Sequence, residues 1–150
     1  MAHETRHAGY LISDDPAQLD VDAIHSYLAR SYWVQNIPRE IVAQSVANSL
    51  CIGIYAANGA QVGLVRVVTD YTTFGWLCDV FVLEPHRGRG LSKAALRLVL
   101  SHPRLQTVRR LLLATRDAHG LYAQVGFTPL PVPSTHMELR RIAGYPPAGG

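Results

Sequence analysis

The sequence predicts a mixed α/β fold: three strands in an antiparallel meander, then a strand, helix and strand unit whose two strands run parallel. Three observations predict it. Apolar, β-rich runs at 50–57, 61–69 and 75–83 are separated by short turns. After the third run comes a glycine loop, and then apolar residues at Leu91, Ala94, Ala95, Leu98 and Val99, which is one face of a helix. A further apolar run, 109–115, follows that helix, and such a crossover is right-handed.

The chain has 150 residues, 48% apolar and 17% charged, enough for one buried core. No repeat or linker divides it, so a single domain is expected over 9–143, with residues 1–8 frayed and 144–150 a disordered tail. No apolar run approaches the roughly 20 residues that span a bilayer, and the start lacks an apolar signal segment. A cytoplasmic protein without a membrane partner is expected. Cys51 and Cys78 sit inside apolar runs, as buried thiols do, and neither they nor the seven histidines show metal-ligand spacing. No metal is expected. The net charge of +3 gathers near the glycine loop and at Arg104, Arg109 and Arg110, which suits a polyphosphate ligand.

Taken in order, Tyr10 to Ser13 reads as a short first strand and Asp14-Asp15-Pro16 as a break. Asp20 caps a helix carrying Val21, Ile24 and Leu28, which ends near Arg30. The aromatic connector with Tyr32 and Trp33 leads to Pro38, which opens a second helix. That connector either lines a substrate pocket or staples two helices to the sheet. Asn58-Gly59 suits a type I′ hairpin turn between the first two long strands. Residues 118–125 form a short helix closed by Gly126, Phe127 to Leu130 starts a strand, and Thr135 to Ile142 is a final strand.

The stretch from Val80 to Leu96 joins a buried strand to a helix through Pro85-His86-Arg87-Gly88-Arg89-Gly90. Glycine permits positive φ and close approach of a ligand to the main chain. At a helix start, such a loop offers free N–H groups and the positive end of the helix dipole, an anion site most naturally for phosphate. Lys93 and the two arginines add charge. Arg87-Gly88-Arg89-Gly90 between a strand and a helix is not the disordered repeat that binds nucleic acid, and no nucleic acid is expected.

Arg87-Gly88-Arg89-Gly90-Leu91-Ser92 resembles the Arg/Gln-x-x-Gly-x-Gly/Ala signature of the GNAT superfamily of acyl-CoA-dependent N-acetyltransferases, with Ser92 at the last position. Leu121-Tyr122-Ala123-Gln124-Val125-Gly126-Phe127 resembles the family's second motif, Leu/Ala-Tyr-x-x-x-Gly-Phe, downstream in the expected order. The resemblance covers roughly residues 50–140. It implies a GNAT-like fold with the two parallel strands splayed, and acetyl-CoA as acyl donor. The donor would be held by Phe81 and Val82 and by the loop residues Arg87, Gly88, Arg89, Gly90, Leu91, Ser92 and Lys93. It also implies that Tyr122 is the general acid for the leaving thiolate. The acceptor expected is the amine of a small molecule, attacking directly in a ternary complex, with Tyr32, Trp33, Asp70 and His119 around it. A non-catalytic acyl-CoA sensor on the same fold is the alternative, and a homodimer is left open.

Asp79 interrupts an apolar strand, where a carboxylate is costly unless it is paired or does chemistry. Some relatives carry a glutamate base one position earlier, where this chain has Cys78. Asp79 is therefore the first candidate for the base, with His119 or a water chain second. A structural carboxylate paired with Arg66 remains open beside it.

Overall fold

The structure, a computed structural model, is described for residues 1–147. Six strands form one sheet in sequence order: β1 (Glu4–His7), β2 (Tyr10–Ser13), β3 (Leu50–Tyr55), β4 (Gln61–Thr69), β5 (Phe74–Val82) and β6 (Arg110–Leu112). Neighbours are antiparallel from β1 through β5, and β5 and β6 are parallel. Helices α1 (Val21–Leu28) and α2 (Arg39–Ala47) pack together on one face, over Cys51, Leu64 and Phe81. On the other face, α3 (Leu91–Leu100) packs over Ile12, Ile52, Val65 and Val67, joined there by Tyr122 of α4 (His119–Ala123). Strands β3 and β4 are covered on both sides, which is why they read as nearly continuous apolar runs.

The fold class is as expected, including the splay. Only Phe74 to Trp76 pair with Arg110 to Leu112, and from Leu77 onward β5 runs on without β6 beside it. The strand expected over 109–115 is thus only three residues long. At the opening, β5 also bulges: Leu64 faces Phe81 but Arg66 faces Cys78, so β5 carries one extra residue. Asp79 sits at that bulge with φ of 51°, a left-handed conformation that aspartate tolerates better than most residues.

Four local expectations are corrected. Residues 4–7 are a strand rather than frayed, turning at Ala8 and Gly9 with φ of 51° and 84°. All four are exposed, so no apolar alternation announced them; the ladder with β2 and a 2.8 Å bond from Ser13 Oγ to Glu4 hold them. The 56–60 turn has only Gly59 at positive φ, so it is a type I turn ending in a left-handed glycine instead of type I′. Residues 127–130 and 135–142 form no strand among the described residues; a single 3-10 turn, Pro133–Thr135, interrupts them. Tyr145, expected in a loose tail, packs against the α1 and α2 cluster, while 148–150 of that tail lie outside the described residues. No helix among the described residues is long and apolar enough to cross a membrane.

Candidate active site

The glycine loop follows from β5 through a 3-10 turn at Glu84–His86. Gly88 and Gly90 have φ of 78° and 75°, and Gly90 is the N-cap of α3 without any side-chain cap. The first intrahelical bond there is Ala94 N–H to Gly90, at 3.0 Å, which leaves the amides of Leu91, Ser92 and Lys93 free for an anion. Nothing lies within 4 Å of where a Cβ on Gly88 would stand. A cavity of about 300 Å³ is bounded by Val82, Arg87, Gly88, Gly90, Ser92 and Lys93, with Leu121 and Gln124 of α4 opposite. Sequence reasoning missed Leu121 and Gln124, though both lie inside the second motif. Arg87 is fixed by a 2.7 Å bond from Nε to the Val82 carbonyl and a 3.2 Å bond to the Tyr27 hydroxyl. Arg89 does not line this cavity: its guanidinium lies toward the Tyr10 ring, and its carbonyl accepts from His7 Nε2 at 2.9 Å.

Of the two candidate amide donors on β5, only one faces the opening. Leu83 N–H bonds the Val62 carbonyl, and antiparallel alternation then turns Phe81 toward β4 and Val82 toward the splay. The Phe81 ring stacks on Tyr27 at 4.1 Å, inside the α1 and α2 cluster. Phe81 is therefore corrected from ligand contact to core.

A second cavity, about 400 Å³, lies along the splay and brings together Tyr32, Trp33, Cys78, Asp79, Arg116 and Tyr122. Tyr122 is 9% exposed, and its ring meets Phe127 edge-on at 5.9 Å. Gly126, at φ of 104°, lets the chain double back so that Phe127 N–H bonds the Tyr122 carbonyl at 3.1 Å, which is why the motif needs its Gly-Phe pair. Burial, and then the nearby Tyr32 phenol, push the Tyr122 hydroxyl up to about 12. Burial also pushes the Cys78 thiol up to about 11 and that of Cys51 to about 12, so both stay protonated at neutral pH.

The Asp79 side chain is 6% exposed and spends both oxygens on neighbours: Trp33 Nε1 donates to Oδ1 at 2.9 Å and Arg66 Nε to Oδ2 at 2.8 Å. Arg66 also donates to Ser49 Oγ at 3.0 Å. This network crosses the sheet and holds the Trp33 indole at the cavity wall. Breaking a buried pair from one side strands the other charge, so Arg66→Met is expected to lower stability by about 3 kcal/mol in urea titration. Arg66→Met with Asp79→Asn should recover most of that loss.

Two other candidates lie elsewhere. Asp70 belongs to the β4–β5 turn, where its carboxylate accepts from the amides of Thr72 and Thr73 and from the Thr73 hydroxyl at 2.6 Å. These bonds hold its pKa far below the usual carboxylate range and explain its presence as a turn former. His119 is exposed at the start of α4 and borders a different, apolar groove, so sharing a helix with Tyr122 does not bring it to Asp79. Arg116, missed by the sequence reading, covers the Tyr32 ring at 3.8 Å and closes the cavity rim. Among the described residues, no group of three or more His, Cys, Asp or Glu could hold a metal ion.

Comparison with known proteins agrees with this geometry. A family model described as the acetyltransferase (GNAT) family matches residues 20–127. A protein of Gibberella zeae, an acetyltransferase by name assignment, is 34% identical over 137 residues, covering 77% of this chain and 76% of that protein. The crystal structure of a Xanthomonas campestris protein assigned to the GNAT family superposes with a TM-score of 0.86 at 46% identity, over 90% of this chain and 95% of that one. A Mycobacterium tuberculosis protein solved in complex with CoA and NLQ shares the fold, with a TM-score of 0.60 at 21% identity, over 74% of this chain and 68% of that one.

Proposed function

The chain belongs to the acetyltransferase (GNAT) family, and on that premise we propose that it moves an acetyl group from acetyl-CoA to the amine of a small molecule by direct attack in a ternary complex. One observation carries the reading: the Tyr122 side chain lines the splay cavity, a short way along α4 from the anion cradle that Leu121 and Gln124 help to wall. The cradle fits a pyrophosphate, since it has free amides, positive-φ glycines and open space over Gly88. Acetyl-CoA would supply the activated acetyl group as a thioester. The residues of this chain do the rest. Arg87, Ser92, Lys93 and the α3 amides bind the phosphates; the Val82 amide faces the acyl oxygen as an oxyanion donor. Tyr32, Trp33 and Arg116 position the acceptor.

Tyr122 holds a proton at Oη for the departing sulfur. With its pKa raised to about 12, the phenol keeps that proton across the working range. A raised pKa favours the protonated form up to higher pH, so a kcat profile is expected to show no alkaline loss below about pH 11. A descending limb near pH 9 to 10, where the acceptor amine is already neutral, would point to a different acid.

The commitment of both Asp79 oxygens supports a positioning role for it, with the amine entering as its neutral fraction. Asp79→Asn is then expected to raise KM for the amine while leaving the acid limb of the kcat/KM profile in place. A shift of that limb by about a unit or more would restore Asp79 as the base. The reading as a whole is tested by thiol release from acetyl-CoA against a panel of small amines. Turnover with at least one of them is expected; tight coenzyme binding without turnover on any would favour the sensor.

A further inference from the structure

The splay cavity carries more aromatic surface than acetyl transfer needs. Besides Tyr122, it is bordered by Tyr32, Trp33 and Trp76. Tyr32 meets Trp33 at 80° with ring centroids 5.1 Å apart, so the two rings form a corner. Trp33 is fixed there by its bond to Asp79, and Arg116 covers one face of Tyr32. Trp76 reaches the cavity from β5, in a strip where Val68 of β4 lies on one side of it and Leu112 of β6 on the other. The cluster under α1 and α2 takes in Cys51, Leu64 and Phe81 but not this strip, and Val68, Phe74 and Trp76 stay 42%, 40% and 38% exposed. A tryptophan left open at the rim of a reaction cavity offers apolar area for a ligand to cover.

We propose that the acceptor is a monoamine carried on a flat aromatic body, and that Trp76 is a specificity-determining residue that takes this body against the corner of Tyr32 and Trp33; the inference rests on the transfer proposed above. Volume and charge both point that way. A cavity of about 400 Å³ suits a small molecule, and a flat ring gains from edge-on and offset contacts with aromatic walls what a puckered ring of similar size does not. A second ammonium finds no carboxylate free to hold it. Among the described residues, the carboxylates bordering the cavity are those of Asp79, committed to Trp33 and Arg66, and Asp117, which lies 3.6 Å from Arg116. Arg116 adds positive charge at the rim, which further disfavours polyamines and lysine-rich segments. The reacting nitrogen attacks in its neutral form, so Arg116 does not oppose it.

The test compares phenethylamine, its saturated counterpart 2-cyclohexylethylamine, and spermidine as acceptors for the full chain, with each rate divided by the neutral fraction of the amine. The aromatic amine is expected to exceed the saturated one in kcat/KM by at least about 10-fold, with spermidine poorer still. Equal values for the two ring amines, or a preference for spermidine, would overturn the assignment while leaving acetyl transfer in place. Trp76→Leu should lower kcat/KM for phenethylamine about 10-fold and close most of the gap, chiefly through KM, and Trp76→Phe should keep the gap. Both variants are expected to retain the circular dichroism spectrum, since Trp76 is partly exposed. A gap that Trp76→Leu leaves unmoved would remove Trp76 from the assignment. Calorimetric titration of the coenzyme A-loaded wild type with the same amines needs no turnover. There the same order of affinity is expected; that order without thiol release from acetyl-CoA would fault the transfer alone, and no preference for the aromatic amine would overturn the inference.

Discussion

Tyr122→Phe is expected to lower kcat about 100-fold while leaving coenzyme affinity and stability nearly unchanged. The effect belongs at the low end of general-acid contributions because an alkyl thiol, with a pKa of about 8.5, is already a fair leaving group. The variant keeps the ring, and with it the edge-on contact with Phe127 and the burial against the α3 cluster. Only the hydroxyl is lost, and no phosphate contact runs through it. A KM change with kcat intact would instead make Tyr122 a wall of the acceptor cavity. Steady-state kinetics and calorimetric titration with coenzyme A, run on the same preparation, separate the two outcomes.

Gly90→Glu is expected to weaken coenzyme binding by more than about 100-fold, because a carboxylate at the N-cap of α3 would face the pyrophosphate, and like charges in contact cost several kcal/mol. Part of any loss is conformational. Gly90 has φ of 75°, and a Cβ there would stand 3.2 Å from His7 Nε2. Gly90→Ala isolates that part: it should cost about 1 kcal/mol of stability, with a much smaller loss of affinity. Equal losses for the two variants would mean that the loop shape, and not its charge, decides binding.

Much of this site was legible because its chemistry is encoded locally. The anion cradle is a run of consecutive residues, and both of its glycines adopt the positive φ that the motif demands. The helix from Leu91 announces itself by spacing alone. Tyr122 and the Gly126-Phe127 reversal also lie within one short motif. What the sequence hid depends on pairing between distant residues. Whether Asp79 serves as base or anchor turns on Arg66 and Trp33, which are 13 and 46 residues away. The strand β1 shows no apolar alternation because all its side chains face solvent, and its order comes from a backbone ladder. Asp70 misled because an acidic residue beside a tyrosine reads equally well as pocket or as turn. In the opposite direction, the strand read at 135–142 has the right alternation but joins no ladder among the described residues.

The central claim is that acetyl passes from the coenzyme to an amine in the cavity shared by Tyr122 and Trp33. Its most direct test is stoichiometry: free thiol and N-acetylated amine quantified together, the second by mass spectrometry, during one reaction of the full chain. Equal amounts, formed only when amine is present and lost in Gly90→Glu, are the predicted result. Thiol released without acetylated amine, or an acetylated protein that accumulates before any product, would contradict direct transfer.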